Sequence, residues 1–348
     1  MRTHPRNATV YGIDLGKTCF HIVGTDTAGE VVQKCKLSRT TIFPFFANAP
    51  KALIGMEACP GSQWLARKLQ TFGHTVKIIP AQFVKPYVKS NKNDTIDAQA
   101  IAEAVTRPSM RFVQVKQIEQ VDLQAVHRTR DLMVANRTAL ICQMRAFCLE
   151  FGIAIQNGAG AFKQQLPTVV SDEQNDLSPS MRKLILDLWS DLLKLEGRIE
   201  ELTQQIIAIA KRSDLARRLT SIPGFGDLTA TALIAAVGDG KQFKRARDMA
   251  AWLGLTPAQY STGGKPTLLG ISKRGNPYVR RLLIHGARSC VLHLNRTRDR
   301  LGIWIAQLQT RMHANKVAVA VANKIARIAW VVLNRPGSSY QRIAPGRA

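Results

Sequence analysis

The segment VYGIDLGK, residues 10–17, decides how the N-terminal part of the chain is interpreted. An apolar run leads to Asp14, and LGK then supplies residues that are typical of a hairpin turn. Residues 19–25 and 31–37 are two further β-rich runs, joined by the turn segment TAGE. The pattern therefore predicts three successive antiparallel strands.

The segment ALIGMEACPG, residues 52–61, extends this pattern. Residues 52–56 and 76–79 are short apolar runs on either side of a helical stretch at residues 64–70, which indicates a buried parallel βαβ unit. A three-strand meander followed by βαβ is the order of an RNase H-like sheet. It is also the order of half an actin-like ATPase, but that fold needs a similar second half, and the C-terminal half here is helical and basic.

Four acids stand where this topology would bring them together. Asp14 and Glu57 each follow a buried strand, so their carboxylates converge if the strands are neighbours. Asp94 and Asp97 are three residues apart at the start of a predicted helix over residues 94–104, so they share a face. Four hard oxygen ligands suit paired Mg²⁺ (or Mn²⁺) ions about 4 Å apart, as used in phosphoryl transfer.

Each acid also has a purely structural interpretation. Asp14 is a common turn residue, and Asp94 is a common helix N-cap, with Asp97 then facing the helix dipole. Glu57 at a strand end is an ordinary surface acid. The combination of all four in a basic chain favours metal binding.

The formal net charge of +25 over 348 residues indicates a polyanionic partner. Lys and Arg greatly outnumber acids in residues 241–300, which favours a phosphate-binding face. No uninterrupted apolar run approaches the roughly 20 residues that cross a bilayer, and no lipidation signal is found. A cytoplasmic nucleic-acid protein is expected, since no secretory signal or CxxC pair is present either.

The middle of the chain predicts two long helices, residues 118–151 and 181–211, separated by a Gly-, Pro-, Asn- and Ser-rich stretch at residues 152–180. Their apolar stripes predict an arm that pairs within the chain or between chains. From residue 219 onward the chain is predicted to be helical.

The segment LTSIPGFGDLTATALIAAVG, residues 219–238, resembles a helix-hairpin-helix. Its turn, with Gly224 and Gly226, would present backbone N–H groups to a DNA phosphate. The alternative is a glycine-rich turn between two packed helices.

The segment GLTPAQYSTGGKPTLLGISKRGNPYVRR, residues 254–281, predicts a helix end, a hydroxyl-bearing glycine loop and a basic helix start. Ser261 and Thr262 lie beside two glycines, which permit close approach to a phosphate. Cations that would neutralise that phosphate are Lys265, Lys273, Arg274, Arg280 and Arg281. The loop could simply bind phosphate, because a nucleophilic hydroxyl needs a base or metal and no His lies nearby in sequence.

These motifs together resemble the DEDD transposases of the bacterial insertion-sequence one-hundred-ten (IS110) family, relatives of the Piv DNA invertases. The resemblance covers nearly the whole chain, through GIDLGK, GMEACPG, KNDTIDAQAIAE, IPGFG and STGGK with GISKRGN, in that order. It implies an α/β plus α protein with a RuvC-like, RNase H-fold catalytic domain at residues 1–115. A coiled-coil arm at residues 116–214 and a helical transposase domain with a serine loop at residues 215–348 would follow.

The resemblance also implies site residues. The DEDD acids Asp14, Glu57, Asp94 and Asp97 would bind the metal, and a serine would attack DNA and become covalently linked to it. In some members the nucleophilic serine directly precedes the glycine, where this chain has Thr262. Ser261 is preferred because a primary hydroxyl is less hindered, and Thr262 remains open.

The implied partners are double-stranded DNA, as element ends and target, and a structured non-coding guide (bridge) RNA that specifies both by base pairing. A homo-oligomer, dimer or tetramer, would combine domains of different subunits and act at the bacterial nucleoid. Two competing functions remain open: a Holliday-junction-type nuclease that uses only the four carboxylates and water, and a non-enzymatic nucleic-acid chaperone. A covalent protein–DNA adduct would separate the transposase from both.

Overall fold

The apolar runs of the N-terminal part form one five-stranded sheet in the computed structural model, which describes residues 8–88, 93–297 and 299–342. The spatial order is β3-β2-β1-β4-β5, with β1 paired antiparallel to β2 and parallel to β4. β2 pairs antiparallel with β3, and β4 pairs parallel with β5. The strands are β1 (Val10–Leu15), β2 (Cys19–Thr25), β3 (Val31–Ser38), β4 (Leu53–Glu57) and β5 (Thr75–Ile79). The predicted mixed α/β N-terminal part is thus confirmed.

This sheet belongs to the first of two units, Met1–Gln117, and the remainder, Ile118–Ala348, forms the second. The boundaries predicted at residues 115 and 214 stay predictions. The helices of the first unit are α1 (Ile42–Ala47), α2 (Ser62–Thr71), α3 (Ala81–Val84) and α4 (Asp94–Val105), with a 3-10 turn at Lys85–Tyr87.

The two faces of the sheet are covered differently because side chains alternate along each strand. One face carries large apolar side chains, which pack with α1 and α2 in a single core; examples are Tyr11, Ile13, Phe20, Ile22, Ile54, Met56, Phe46 and Leu65. The other face has glycine at the centre of β1 and β4, and α4 packs against both strands. The two faces of the sheet therefore differ: one packs against α1 and α2, and the glycine-bearing face packs against α4.

Two glycines permit this contact. Gly12 and Gly55 are directly paired across β1 and β4. A Cβ atom on Gly12 would lie 2.0 Å from the carbonyl oxygen of Ala98, and one on Gly55 would lie 2.8 Å from the Cβ atom of Val105. Both distances are shorter than a van der Waals contact. Only glycine at these positions lets α4 lie directly on the two strands.

The second unit is mostly helical, as predicted. Two helices of 33 and 34 residues, α5 (Ile118–Glu150) and α7 (Pro179–Arg212), pack against each other and share a core with α6 (Ala159–Ser171). The remaining helices surround a second core that is centred on α13. The helices of this unit are α5 (Ile118–Glu150), α6 (Ala159–Ser171), α7 (Pro179–Arg212), α8 (Asp214–Thr220), α9 (Asp227–Val237), α10 (Ala246–Trp252), α11 (Pro277–His293), α12 (Arg300–Gln309) and α13 (Ala314–Asn334).

Two sequence-based expectations for this unit are wrong. The composition of residues 152–180 predicts a break, but the segment contains α6, because Phe162, Leu166 and Val170 recur at four-residue spacing and are buried. Residues after 219 are not all helical. They include a two-stranded hairpin of β6 (Pro257–Thr262) and β7 (Lys265–Ile271).

Among the described residues, α13 is the one helix that is long and apolar enough to cross a membrane. Half of its most apolar stretch is buried inside the protein. Buried side chains such as Val321, Ile325 and Ala329 form part of the core of the second unit. A core helix passes the same test, so α13 alone is weak evidence for a membrane span.

The contact between α4 and the sheet gives a first prediction. Gly12→Ala should lower the free energy of unfolding by about 1–3 kcal/mol or more, because the new methyl group forces α4 away from β1. Denaturant unfolding followed by circular dichroism measures this. Gly197→Ala in α7 is the matched control, since a Cβ atom there meets nothing within 4 Å; it should be neutral or slightly stabilising. Equal stability of the two variants would contradict the close contact.

Candidate active site

Asp14 and Glu57 lie next to each other at one end of the sheet. Ile13 pairs with Met56 in the parallel β1–β4 ladder, so the next residues along each strand, Asp14 and Glu57, are neighbours. Both follow the paired glycines by two positions, and alternate residues of a strand point to the same face. The two carboxylates therefore stand on the face that α4 covers.

The start of α4 brings two further acids to this end of the sheet. Asn93 is the N-cap, and its side chain accepts a hydrogen bond from the backbone N–H of Thr95 at 2.9 Å. Asp94 is thus not the cap that the sequence suggests as an alternative. Asp94 and Asp97 occupy the first turn, where the helix dipole stabilises negative charge. Asp94 is exposed and Asp97 is half-buried.

A histidine that the sequence analysis missed completes the group. His21 lies opposite Asp14 in the antiparallel β1–β2 ladder. Its Nδ1 atom is 3.3 Å from Oδ2 of Asp94. One ligand atom each from Asp14, His21 and Asp94 lie within 4.8 Å of one another. Counting the hairpin register outward from its turn would have placed His21 beside Asp14.

Glu57 and Asp97 are outside this three-residue group. The electrostatics of Cys59 nevertheless connect Glu57 with Asp14. Burial raises the pKa of the Cys59 thiol, and the negative charges of Glu57 and Asp14 raise it further. Both carboxylates therefore act on the same small region at the end of the sheet.

The chemistry of this set fits a divalent cation. Carboxylate oxygens are the ligands that Mg²⁺ and Mn²⁺ take in proteins, and the group concentrates negative charge at one end of the sheet in a chain of net charge +25. Three side chains from β1, β2 and α4 already lie within the 4.8 Å that separates ligands of a single ion. The residues present are thus suitable for holding such an ion.

The two candidate nucleophiles lie on a hairpin and not in an irregular loop. Ser261 pairs with Pro266, and Thr262 pairs with Lys265. The turn between the strands is formed by Gly263 and Gly264, with φ angles of +55° and +76°. Positive φ at both central residues is the requirement of the tightest hairpin turns, and it favours Gly-Gly. The geometry of the turn is therefore enough to explain why both residues are glycine, without a role for them in phosphate binding.

The Ser261 hydroxyl is fixed by a neighbour on its own strand. Gln259 and Ser261 are two positions apart, so their side chains share a face of the hairpin. The Nε2 atom of Gln259 donates a hydrogen bond to Oγ of Ser261 at 2.7 Å. Both Ser261 and Thr262 are exposed. The hydroxyl of Ser261 is thus accessible and accepts one hydrogen bond from Gln259.

The five predicted phosphate-binding cations fall into two classes. Lys265, Lys273 and Arg274 are exposed, whereas Arg280 donates hydrogen bonds to the carbonyl oxygens of Leu253, at 3.0 Å, and Arg274, at 2.6 Å. Burial lowers the pKa of the Arg280 guanidinium. These contacts connect α11 to the end of α10 and to the segment that follows β7. Arg280 therefore has a structural role at the base of the hairpin.

Arg281 is also engaged inside the second unit. Its guanidinium pairs with the carboxylate of Asp131 on α5 and lies 5.3 Å from the ring centre of Tyr278. The hydrogen bond that Arg281 donates to the Asp131 carboxylate raises the pKa of Arg281. Its predicted role in nucleic-acid binding stays a prediction, and the contacts give it an independent structural function.

A buried histidine, His127, also contacts α11. His127 on α5 is within 3.0 Å of the hydroxyl groups of Tyr278 on α11 and Thr231 on α9. Burial, and then the positive charge of Arg130, lower the pKa of His127 to about 4. The imidazole is therefore neutral near pH 7, and its contacts join α5, α9 and α11.

The predicted helix-hairpin-helix turn lies between α8 and α9. A Cβ atom on Gly224 would lie 2.5 Å from the carbonyl oxygen of Gly286 on α11, so this glycine is required by packing. Gly226 is exposed and is the N-cap of α9, with Asp227 following it in the first turn. Gly226 is thus the better placed of the two for a phosphate, although the Asp227 carboxylate opposes an anion.

Comparison with known proteins gives two family matches. Residues 11–152 match the transposase family DEDD_Tnp_IS110, and residues 216–301 match the family described as Transposase IS116/IS110/IS902. The first match includes Asp14, His21, Glu57, Asp94 and Asp97, and the second includes the β6–β7 hairpin.

Similar curated proteins extend over almost the whole chain. The transposase for insertion sequence element IS1328 of Yersinia enterocolitica is 44% identical over 326 residues, which are 94% of this chain and 97% of that protein. The transposase for insertion sequence element IS1111A of Coxiella burnetii is 41% identical over 334 residues, 96% of this chain and 92% of that protein. A probable family 20 transposase of Pseudomonas aeruginosa is 44% identical over 330 residues, with 94% and 98% covered.

The division of the cations gives a second prediction. Replacing Lys265, Lys273 and Arg274 with Gln should flatten the log–log salt dependence of duplex DNA binding by roughly 0.9 for each phosphate contact that is lost. Replacing Arg280 and Arg281 with Gln should change that slope less and lower the thermal stability instead. Fluorescence anisotropy over a salt series, together with thermal unfolding, measures both. The reverse pattern would place Arg280 and Arg281 on the DNA.

Proposed function

The chain belongs to the IS116/IS110/IS902 transposase family, and from this membership we propose that it recombines DNA with a divalent-metal centre and a serine nucleophile. As a transposase of this family it is an enzyme that cuts and joins DNA. The metal centre is formed by the DEDD acids of the first unit. The nucleophile is Ser261 on the hairpin of the second unit.

The first unit is an RNase H-like, RuvC-like catalytic domain in this proposal. The observation that supports this is the strand order β3-β2-β1-β4-β5, with an antiparallel meander continued by parallel strands. The acids also lie at the end of the central strands β1 and β4. Residues 116–214 would be a coiled-coil arm and residues 215–348 the transposase domain, in which α8 and α9 form a helix-hairpin-helix.

Asp14, Glu57, Asp94 and Asp97 would hold Mg²⁺ or Mn²⁺. Bound there, the ion would neutralise charge on the phosphate that is attacked. The chain contributes the orientation of these ligands: β1 and β4 hold one pair side by side, and the first turn of α4 holds the other. The carboxylates also give the basic chain a local site for a cation.

Ser261 would attack the scissile phosphate. The Oγ–P bond forms while the bond from phosphorus to the leaving strand oxygen breaks; the serine proton passes to a base, and the leaving oxygen takes up a proton. The product is a phosphoserine ester, and a hydroxyl of a second strand then attacks it and releases serine. This exchange conserves the phosphodiester bond energy, whereas hydrolysis would lose it.

The hydrogen bond from Gln259 is the observation that favours Ser261 over Thr262. Because the amide donates to Oγ, it leaves the hydroxyl proton free to be removed by another group. The primary hydroxyl is also less hindered than that of Thr262. Exposed cations nearby, such as Lys265, would stabilise the extra negative charge of the transition state.

The partners belong to the same proposal. Double-stranded DNA at the element ends and target would bind the exposed cations, and a structured non-coding guide RNA would specify both by base pairing. The high positive charge supports nucleic-acid binding in general. A homo-oligomer, dimer or tetramer, acting at the nucleoid in the cytoplasm, completes the proposal.

The metal centre gives a third prediction. Asp97→Asn should reduce recombination by more than the roughly 100-fold that loss of an outer-shell partner costs, since a charged ligand is lost. Circular dichroism and DNA affinity should be almost unchanged. The matched control is Glu103→Gln on the same helix, where the acid pairs with Arg107. Wild-type recombination by Asp97→Asn in Mg²⁺ would exclude the metal hypothesis.

The serine gives a fourth prediction. DNA complexes trapped under denaturing conditions should contain a covalent adduct, and mass spectrometry should map it to Ser261. Ser261→Ala should abolish the adduct, and Thr262→Ala should retain it. A link at Thr262 would move the nucleophile by one residue. Efficient recombination by the double variant would refute covalent catalysis by this hairpin, and metal-dependent cleavage without an adduct would indicate a junction nuclease.

A further inference from the structure

We propose that His21 is a direct nitrogen ligand of the ion held by Asp14 and Asp94, and that it makes the site prefer Mn²⁺ to Mg²⁺. The inference rests on the metal centre proposed above and adds a residue that the DEDD set does not contain. It concerns only the first unit, where the contacts of β1, β2 and α4 define the site.

The sheet register places His21 in the site. Asp14 and His21 are directly opposite each other in the β1–β2 ladder, so their side chains share a face. The neighbours of His21 along β2, Phe20 and Ile22, are buried in the core on the other face. A shift of one residue would turn these two apolar side chains towards α4, so the core fixes the position of His21.

The turn reinforces this register. The backbone N–H of Gly16 donates to the carbonyl oxygen of Cys19 at 3.0 Å, and Leu15 pairs with Phe20. A Cβ atom on Gly16 would lie 2.6 Å from that carbonyl oxygen. The hairpin is therefore closed tightly, and His21 cannot slip along β2 without losing these contacts.

The interatomic distances place the imidazole of His21 beside the carboxylates of Asp14 and Asp94. Nδ1 of His21 is 3.3 Å from Oδ2 of Asp94, and the side chain of His21 is only 17% exposed, against 60% for Asp94. The group of Asp14, His21 and Asp94, within 4.8 Å, draws one ligand from each of three elements. This spacing is close enough for one ion to contact all three side chains, whereas an ion pair alone would join only His21 and Asp94.

The ligand type determines the ion preference. Mg²⁺ takes oxygen ligands almost exclusively and keeps a strict octahedral geometry, whereas transition-metal ions also accept imidazole nitrogen. A nitrogen among carboxylates should therefore favour Mn²⁺ over Mg²⁺. The alternative is that His21 only donates a hydrogen bond to Asp94 and orients it, in which case the ion has oxygen ligands alone.

Pulsed electron paramagnetic resonance of the Mn²⁺-loaded full-length protein distinguishes these roles. Directly bound imidazole gives nitrogen modulation of the Mn²⁺ signal, and labelling histidine with ¹⁵N changes that modulation. We expect it in the wild type and not in His21→Asn. Asn keeps an N–H group for Asp94 but removes the imidazole ligand. His285→Gln, an exposed histidine of the second unit, is the matched control and should retain the modulation.

Metal titration supplies the second measurement. His21→Asn should weaken Mn²⁺ binding by about tenfold or more and Mg²⁺ binding by less, given that even outer-shell partners contribute 10–100-fold to metal affinity. Circular dichroism checks that the variant is folded, and His21→Gln replaces it if it is not. A Mn²⁺ preference that persists without the imidazole would overturn the proposal.

These measurements distinguish a wrong role for His21 from a wrong metal centre. If Mn²⁺ binds the wild type with no nitrogen modulation, and Asp14→Asn removes that binding, His21 is not a ligand while the carboxylate centre stands. If Asp14→Asn and Asp97→Asn both bind Mn²⁺ as the wild type does, the metal centre of the proposed function is itself wrong. A wild-type Mn²⁺ spectrum without nitrogen modulation by itself refutes the ligand role of His21, so no variant has to fold for the inference to fail.

Discussion

The contact between α4 and the glycine pair of the sheet is the constraint on which the candidate metal site depends. Gly12 and Gly55 are paired across β1 and β4, and backbone and side-chain atoms of α4 occupy the space that two side chains would fill. Because strand side chains alternate, the residues two positions further on, Asp14 and Glu57, must stand on this same face. Close helix packing and convergence of acids are thus consequences of one local arrangement.

In the second unit, the Ser261 hydroxyl is positioned by an exposed hairpin and by polar contacts at the base of that hairpin. The β6–β7 hairpin is almost entirely exposed, so it has little core of its own. Arg280 of α11 holds the base of the hairpin. It donates hydrogen bonds to carbonyl oxygens at the end of α10 and in the segment that follows β7. α11 is in turn fixed by Tyr278, which contacts the neutral His127. Polar contacts at the base of the hairpin therefore support the strand that carries the exposed Ser261 hydroxyl.

The strands of the first unit and the acids at their ends could be predicted from the sequence because the residues that indicate them are close together in the chain. The apolar runs that end in Asp14 and Glu57 predict both the strands and their acids, since a buried parallel strand needs a continuous apolar segment. His21 was missed because its role depends on register across a hairpin and not on its own neighbours. Arg280 and Arg281 could not be separated from Lys265 by charge alone, because their partners lie on other helices. The hairpin itself was missed because exposed strands lack an apolar alternation, although Gly263 and Gly264 carried the turn signal.

The exposure of Ser261 also sets a requirement on the chemistry. Within the part of the chain that the structure describes, the side chain that contacts its hydroxyl is Gln259, and an amide is neither an acid nor a base near neutral pH. Gln259 can donate a hydrogen bond to the oxygen but cannot remove its proton, so the hairpin alone would not activate the nucleophile that we propose. In the proposed reaction, a base from elsewhere would have to reach the hydroxyl when DNA is bound. A free hydroxyl that is oriented but not activated suits an enzyme that has to avoid cutting DNA before both strands are in place.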